Sequence, residues 1–166
     1  MKYIANGLSV RSTIERPPKA ADWLDKNGEL VQILVLQNYL FFGNASSVLA
    51  YISSMFEDLD TDMDALFVPP TPKFVILDLT LLTGMDTSSV DVFKDILTLC
   101  QTNNCKLFLA GVSRGLMKTM SLSGFKADPA TIRSARKLRF FSDLDNAVGK
   151  AGKLTTPSFV TLFNQY

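Results

Sequence analysis

The stretch KFVILDLTLLTGMDTSSVDVF, residues 73–93, changes its hydrophobic pattern part-way along its length. Residues 73–79 form a nearly continuous apolar run, which is typical of a strand buried on both faces of a sheet. Further along, the apolar positions fall three and four residues apart, as on one face of a helix: Val90, Phe93, Ile96, Leu97 and Cys100. A buried strand that leads into a helix predicts the crossover unit of an α/β fold.

The same alternation continues on both sides of this stretch. Further strands are predicted at residues 31–37, 39–43, 105–112 and 137–141, and further helices at about 44–59, 116–124 and 142–152. The ends, roughly 1–28 and 153–166, carry no clear pattern. Because the chain has 166 residues, 47% of them hydrophobic, we expect one α/β domain, a mixed central sheet with helices packed mainly on one face.

Residues 30–56 contain no charged side chain and are long enough to cross a bilayer. However, two glutamines, two asparagines and four serines interrupt this segment, and such polar groups are costly in lipid. We therefore predict two ordinary elements of a soluble domain, separated near Gly43. The first residues of the chain also lack the apolar core of a signal peptide.

The composition argues against a metal site and against binding of nucleic acid. The net charge of +1 gives no general attraction to nucleic acid, and the chain has no histidine. Cys100 and Cys105 are too few for zinc, so we expect two reduced thiols near a helix end and a strand start. The acidic run 57–64 resembles a calcium loop, but Met63 and Pro69 occupy its glycine and glutamate positions.

No catalytic residues are predicted. A nucleophilic serine or threonine needs an activating base, and only Lys94 follows the hydroxyl-rich junction at 86–89. The chain also lacks the glycine-rich phosphate loop of nucleotide hydrolases. We therefore expect a protein without enzymatic activity and without a cofactor.

The junction between the central strand and its helix has two interpretations. Asp86, Thr87 and Ser88 are all suitable residues to cap a helix, and Ser88 with Asp91 fits a capping box, as does Ser142 with Asp145. Alternatively, the helix terminus presents hydroxyls and free amides at the end of a central strand, which suits an anion or a phosphate acceptor. For Asp78, a role in holding the loop and a functional role are both open.

A basic stretch over residues 126–139 carries five bases and one acid. Its last four basic side chains are Arg133, Arg136, Lys137 and Arg139. They are either a solvated surface or a contact for anionic lipid headgroups or an acidic partner.

The motifs in this order resemble the signature of STAS domains, the fold of sulfate-transporter domains and anti-sigma-factor antagonists. Asp78 and Thr80 match the Asp-Leu-Ser/Thr element, and Asp86, Thr87 and Ser88 match the element that opens the next helix. The resemblance covers about residues 29–150, the expected core of a single domain over 1–166, with a C-terminal tail at about 153–166. It implies a STAS-like fold with Thr87, and secondarily Ser88, as phosphate acceptor, supported by Asp78 and Asp86.

Within this family the chain is similar to the SulP branch of anion transporters. The segment VQILVLQNYLFFGNASSVLAYI, residues 31–52, resembles the SulP pattern of an apolar strand followed by Leu-Phe-Phe-Gly. A lead-in strand is expected at about 9–16. Ser89 stands where the antagonists usually have glycine, so its side chain is expected to intrude at the helix start and disturb recognition by an antagonist's kinase.

The resemblance implies a regulatory, protein-interaction domain on the cytoplasmic side of a membrane, attached to the transmembrane part of an anion transporter. Two alternatives stay open: a freestanding phosphorylatable antagonist, and a domain that senses nucleotides by weak binding. The expected partners are the transmembrane part, cytoplasmic regulatory proteins and an anionic membrane surface.

Overall fold

The computed structural model describes residues 1, 3–6, 26–57, 70–125 and 138–154. Within these residues five strands form one sheet: β1 (Tyr3–Asn6), β2 (Val31–Leu40), β3 (Phe74–Met85), β4 (Lys106–Ala110) and β5 (Leu138–Phe141). The strands lie in the order of the chain, with β1 antiparallel to β2 and the other neighbours parallel. The predicted mixed sheet is confirmed, and the apolar run of the opening stretch forms the central strand.

A helix follows each of the parallel strands. These helices are α1 (Phe42–Ser54), α2 (Thr87–Thr102), α3 (Arg114–Leu122) and α4 (Leu144–Leu154), and a short 3-10 turn, Gly28–Leu30, precedes β2. Because every helix starts where its strand ends, all four helices begin at the carboxyl edge of the parallel strands. Their positive dipole ends therefore share one edge of the sheet.

The sheet separates two apolar cores. On one face, α1, α2 and α3 cover side chains that include Leu34, Leu77 and Leu107. On the other face, α4 packs its buried residues Ala147, Val148 and Ala151 against the sheet residues Val31, Ile33, Val35, Phe74, Ile76, Phe108 and Ala110. The prediction that helices pack mainly on one face is confirmed, and of the four helices described here α4 lies on the opposite face.

The uncharged segment 30–56 contains one strand and one helix, and among the residues described no helix is long and apolar enough to cross a membrane. The separate strand predicted at 39–43 is wrong, because Tyr39 and Leu40 complete β2 and α1 begins at Phe42. The main-chain N–H of Phe41 donates to the Asn44 side chain over 2.8 Å, and the Ala45 N–H donates to the Phe41 carbonyl over 3.0 Å. These two bonds begin the helix despite the high strand propensity of aromatic residues.

Both predicted capping boxes are wrong, because an aspartate caps each helix. The carboxylate of Asp86 accepts the N–H of Ser89, so Ser88 lies inside the first turn of α2. At α4 the carboxylate of Asp143 accepts the N–H of Asn146 over 2.8 Å, while Ser142 donates its hydroxyl to Asp143. Asp86 and Asp143 each lie at the last non-helical position before their helix, which is the position that a cap requires.

Several predictions fall outside the described residues: the lead-in strand at 9–16, most of the acidic run 57–64, and Arg133, Arg136 and Lys137. The tail is described only as far as the end of α4. Conversely, the sequence did not predict β1, whose four residues pair with Gln32–Val35 of β2.

Candidate functional site

One carboxylate joins the starts of two helices. Oδ1 of Asp86 accepts the N–H and the hydroxyl of Ser89, both over 2.6 Å, and thereby caps α2. Oδ2 of the same residue accepts the N–H of Phe42, the first residue of α1, over 3.4 Å. The N–H of Asp86 in turn donates to the carbonyl of Leu40 over 3.1 Å. Asp86 therefore holds the two helix starts side by side at the carboxyl edge of the sheet.

These hydrogen bonds keep Asp86 ionised. The hydroxyl of Ser89 lowers the pKa of Asp86 most, followed by the Ser89 N–H, while partial desolvation opposes them and the Phe42 N–H adds a smaller lowering. Donors that stabilise the charged form lower a carboxyl pKa in this way. Asp86 is consequently a structural anion rather than a proton acceptor for chemistry.

The side chain of Ser89 does not intrude at the surface as expected. Ser89 is fully buried, and its hydroxyl lies 2.6 Å from Asp86 Oδ1 and 3.1 Å from the Leu40 carbonyl. The side chain therefore points into the protein, between the end of β2 and the start of α2. A residue at this position that turns inward leaves the outer surface of the helix start open to a partner.

Thr87 and Ser88 lie on that outer surface. Both are exposed in the first turn of α2, and their hydroxyls make no hydrogen bond within the part of the chain that the structure describes. Neither of their N–H groups belongs to the Asp86 cap, because the cap uses the N–H of Ser89. The structure thus brings Asp86, Thr87 and Ser88 together, with two accessible hydroxyls beside one capping carboxylate, and we call these three residues the hydroxyl site.

Asp78 has a separate, local role. Its Oδ1 accepts the N–H of Thr80 over 3.0 Å and the Thr80 hydroxyl over 2.6 Å. At this point β3 contains one more residue than the paired part of β2, so the hydrogen bonds hold a β-bulge. Gly111 has a positive φ of 66° and packs so closely on Thr80 that a Cβ at Gly111 would overlap the Thr80 hydroxyl. Asp78 therefore stabilises the β-bulge in β3 and does not contact the exposed hydroxyls of Thr87 and Ser88.

Four large apolar side chains that precede the starts of α1 and α2 or begin α1 are exposed, and we call them together the aromatic patch: Tyr39 (52% exposed), Phe41 (54%), Phe42 (57%) and Leu81 (44%). The ring of Tyr39 lies over Gly84, where an added Cβ would come within 2.8 Å of it. Phe42 adjoins the hydroxyl site because its N–H donates to Asp86. The patch is not predicted from the sequence, because the two phenylalanines suit a strand; the available signal is the uncharged aromatic run before a helix.

Of the four basic residues singled out from the sequence, the structure describes only Arg139. It lies half-buried on β5 near Lys106 of β4. Burial, and next the charge of Arg139, lowers the pKa of Lys106. The Lys106 ammonium also sits 5.4 Å from the centre of the Phe74 ring, a cation–π arrangement. Arg139 does not contact the hydroxyl site.

The described residues offer no evident place for a metal ion, since no three His, Cys, Asp or Glu side chains among them cluster. An open cleft of about 510 Å³ lies between Thr80 and the first turn of α4. Asp143 and Asp145 line this cleft, and their negative charge disfavours the phosphate groups of a nucleotide. Nucleotide binding therefore stays a prediction without support from this cleft.

Residues 25–147 match the model of the STAS domain family, and the chain belongs to that family. Within it, the solved folds that resemble this one include STAS domains of SulP transporters. A curated relative, the vacuolar basic amino acid transporter VSB1 of Saccharomyces cerevisiae, is 29% identical over 109 residues, or 64% of this chain. The chain spans only 10% of the length of that relative.

Three solved structures share the fold. A sulfate transporter family protein from Wolinella succinogenes has a TM-score of 0.52 at 23% identity, covering 75% of this chain and 86% of its own. The STAS domain of a SulP transporter from Vibrio cholerae has a TM-score of 0.51 at 15% identity, covering 81% and 94%. A putative anti-sigma factor antagonist from Thermotoga maritima also reaches 0.51, at 16% identity, covering 73% and 86%. The fold is thus common to the transporter-linked and the antagonist branches.

Proposed function

We propose that this chain is the regulatory, protein-interaction domain of a SulP-type membrane transporter, lies on the cytoplasmic side of the membrane and has no catalytic activity. The observation that carries this proposal is the aromatic patch. Two of its four side chains, Phe41 and Phe42, belong to the Leu-Phe-Phe-Gly element, residues 40–43, which resembles the SulP branch. The transporter relative is consistent with this setting.

The energetics of the aromatic patch favour a partner surface. Three aromatic rings and a leucine are each about half exposed, and Tyr39 and Leu81 belong to the paired ends of β2 and β3. Burying a large apolar side chain completely is worth roughly 1.5–3 kcal/mol, and exposed apolar clusters commonly mark interaction sites. A partner that covered these four side chains would gain most from the two phenylalanines, because large aromatic side chains often dominate interface energetics.

The proposal concerns the regulatory role of the domain and not the substrate that the transporter moves. The named relative transports basic amino acids, whereas the Wolinella protein belongs to a sulfate transporter family. Substrate sites of secondary transporters lie near the middle of the bilayer, in the membrane-spanning part. The cargo is therefore a property of that part, and this domain acts as its regulator.

We further propose that Thr87, and secondarily Ser88, accepts a regulatory phosphate. The support is the exposure of both hydroxyls at the start of α2, next to the aromatic patch. A phosphate adds about −1.5 to −2 charges; the helix dipole favours it by about 0.3–1 kcal/mol, while Asp86 and Asp91 oppose it. Because these effects roughly cancel, the phosphate changes the affinity for a partner more than the stability of the domain. A freestanding antagonist, the alternative function, would use the same hydroxyls.

The role of the aromatic patch is tested by binding to the membrane-spanning part of a SulP-type transporter from the same organism. The variant Phe41→Ser with Phe42→Ser should weaken binding at least tenfold, since two anchoring rings are lost. The matched control is Leu122→Ser, which removes a side chain that is 79% exposed but lies at the end of α3. If the double variant and the control bind as well as the wild type, and both melt normally, the patch is not the interface.

The phosphate acceptor is tested with Thr87→Glu beside Thr87→Ala. We expect both variants to keep the melting temperature within a few degrees, because neither touches the Asp86 cap. The glutamate variant should change partner binding severalfold, whereas the alanine variant should not. Equal loss of stability in both variants, with binding unchanged, would mean that Thr87 serves only the helix start.

A further inference from the structure

The end of α2 holds the two cysteines of the chain against each other. After the cap residue Asn103, Asn104 turns the chain with a positive φ of 53°. The N–H of Cys105 then donates to the carbonyl of Cys100 over 2.8 Å, and the N–H of Asn104 donates to that of Gln101 over 3.3 Å. This pair of bonds is the Schellman motif, in which the side chains at the positions of Cys100 and Cys105 usually touch.

The side chains follow this rule. Both cysteines are free thiols and fully buried. The closeness of the two thiols raises the pKa of Cys100, which burial raises further, and lowers the pKa of Cys105, whose thiol donates to the Lys106 carbonyl over 3.8 Å. The direct main-chain bond also limits the separation of the two Cα atoms to about 7 Å, close to the range in which disulfides form.

We propose that Cys100 and Cys105 form an intramolecular disulfide when hydrogen peroxide oxidises the protein, and that this bond clamps the end of α2 to the start of β4. The inference does not depend on the proposed function, because it rests on the helix end opposite to Thr87. It gives the domain a second site of covalent modification.

Cys105 lies in the connection between α2 and β4, whereas Cys100 lies within the last turn of α2, so an opening of the helix end exposes Cys105 first. Cys105, the more acidic thiol, reacts first as its thiolate: its sulfur attacks one oxygen of the peroxide, the O–O bond breaks, and hydroxide leaves. Cys105 is then a sulfenic acid. The sulfur of Cys100 attacks the Cys105 sulfur, the S–O bond breaks, and the oxygen departs as water with the Cys100 proton. Overall two thiols are oxidised, and one peroxide is reduced to two waters.

Burial sets the rate of this reaction rather than its outcome. A thiol without solvent contact is inert until the surrounding structure opens. The two cysteines lie where a helix ends at a three-residue connection to a strand, and helix ends open at lower cost than the core. Peroxide is small enough to enter through such an opening, and the neighbouring thiol is already in place to complete the bond.

The test treats the folded chain with hydrogen peroxide, removes the oxidant, and alkylates it in denaturant before measuring the intact mass. We expect a monomer that has lost two hydrogens, carries no alkyl group, yields a peptide linking residues 100 and 105, and reverts with dithiothreitol. Hydrogen exchange at the amides of Asn104 and Cys105 should be severalfold slower in the oxidised protein. Mild denaturant below the unfolding transition should accelerate the oxidation, because it favours opening.

The variants Cys100→Ala and Cys105→Ala serve as controls, with melting curves to show that each folds. Each variant should retain one alkylatable or sulfinic cysteine and form no internal bond. Two alkylated cysteines in the wild type, under peroxide that oxidises free cysteine, would overturn the proposal. So would disulfides found only between molecules, or a sulfinic acid at Cys105 beside a free Cys100.

Discussion

At the scale of single residues, Asp86 has the largest structural role at the candidate site. Its two oxygens accept hydrogen bonds from the first turns of α1 and α2, so one charge satisfies donors of both helices. Thr87 and Ser88 are left free of this task. Because Asp86 caps the helix, a single short motif can both start α2 and present the hydroxyls of Thr87 and Ser88 to the solvent.

The variant Asp86→Ala should lower the free energy of unfolding by about 2 kcal/mol at neutral pH, because the cap of α2 is lost. Asp86→Asn should lose less, since asparagine also caps helices. Asp91→Ala is the control and should cost only about 0.3 kcal/mol, because its bond to Lys94 is an exposed pair. Urea denaturation measures all three, and equal losses in Asp86→Ala and Asp91→Ala would contradict the assigned role.

The same residue should contribute to acid sensitivity. Because folding lowers the pKa of Asp86, its contribution is fully present above its unfolded value of about pH 4 and disappears as the pH falls through the folded value. The difference in unfolding free energy between the wild type and Asp86→Ala should therefore shrink as the pH falls below about 4. Urea denaturation over pH 2–7 measures it, and a difference that stays constant over this range would show that the charge has no part in the cap.

At the scale of the elements, α2 and α3 end in the same way. Each has a residue of positive φ after its cap, Asn104 at 53° and Gly124 at 76°. In α3 the N–H of Phe125 donates to the Met120 carbonyl over 2.9 Å, as Cys105 does to Cys100 in α2. The left-handed residue reverses the chain and sends it into the next segment, so each helix has a defined end.

The backbone at the end of α2 gives a specific prediction. Asn104→Val should lower the unfolding free energy by about 1–2 kcal/mol, because a β-branched residue is strained in the left-handed region. Asn104→Gly should be neutral or slightly stabilising, since glycine adopts this conformation without strain. Thermal melting of both variants measures the effect. A valine variant as stable as the glycine variant would show that the turn readjusts freely.

The elements also show how far sequence reasoning reaches. Residues 73–79 are almost all apolar, so the central strand could be predicted from this run. The apolar positions from Val90 to Cys100 recur every three or four residues, so α2 could be predicted from their period. The start of α1 could not, because aromatic residues suit a strand as well as a helix start, and the bonds at Phe41 decide. The hydroxyl site was predictable from its motif. The exposure of Leu81 was not, since it depends on β4 ending at Ala110, opposite Asp78.

At the scale of the whole molecule, the basic stretch at residues 126–139 predicts that the protein binds to anionic membranes. We expect the chain to float with anionic vesicles and less with neutral ones at low salt, at about 1 kcal/mol per well-placed basic residue. Arg133→Glu with Arg136→Glu should reduce recovery roughly tenfold or more, whereas Arg114→Glu with Lys118→Glu on α3 should have a smaller effect. Equal recovery on neutral and anionic vesicles would rule out the contact.

The sequential order of the strands has a consequence for the chain as it leaves the ribosome. Each parallel strand pairs with the strand made just before it, so the sheet can grow from β2 to β5 during synthesis without waiting for distant segments. Among the elements that the structure describes, α4 is the helix that packs on the other face, and its residues Ala147, Val148 and Ala151 are among the last described residues made. A nascent chain stalled before residue 144 would therefore lack the helix that covers Ile33, Phe74 and Ile76, and we expect a chaperone to bind this face at that stage.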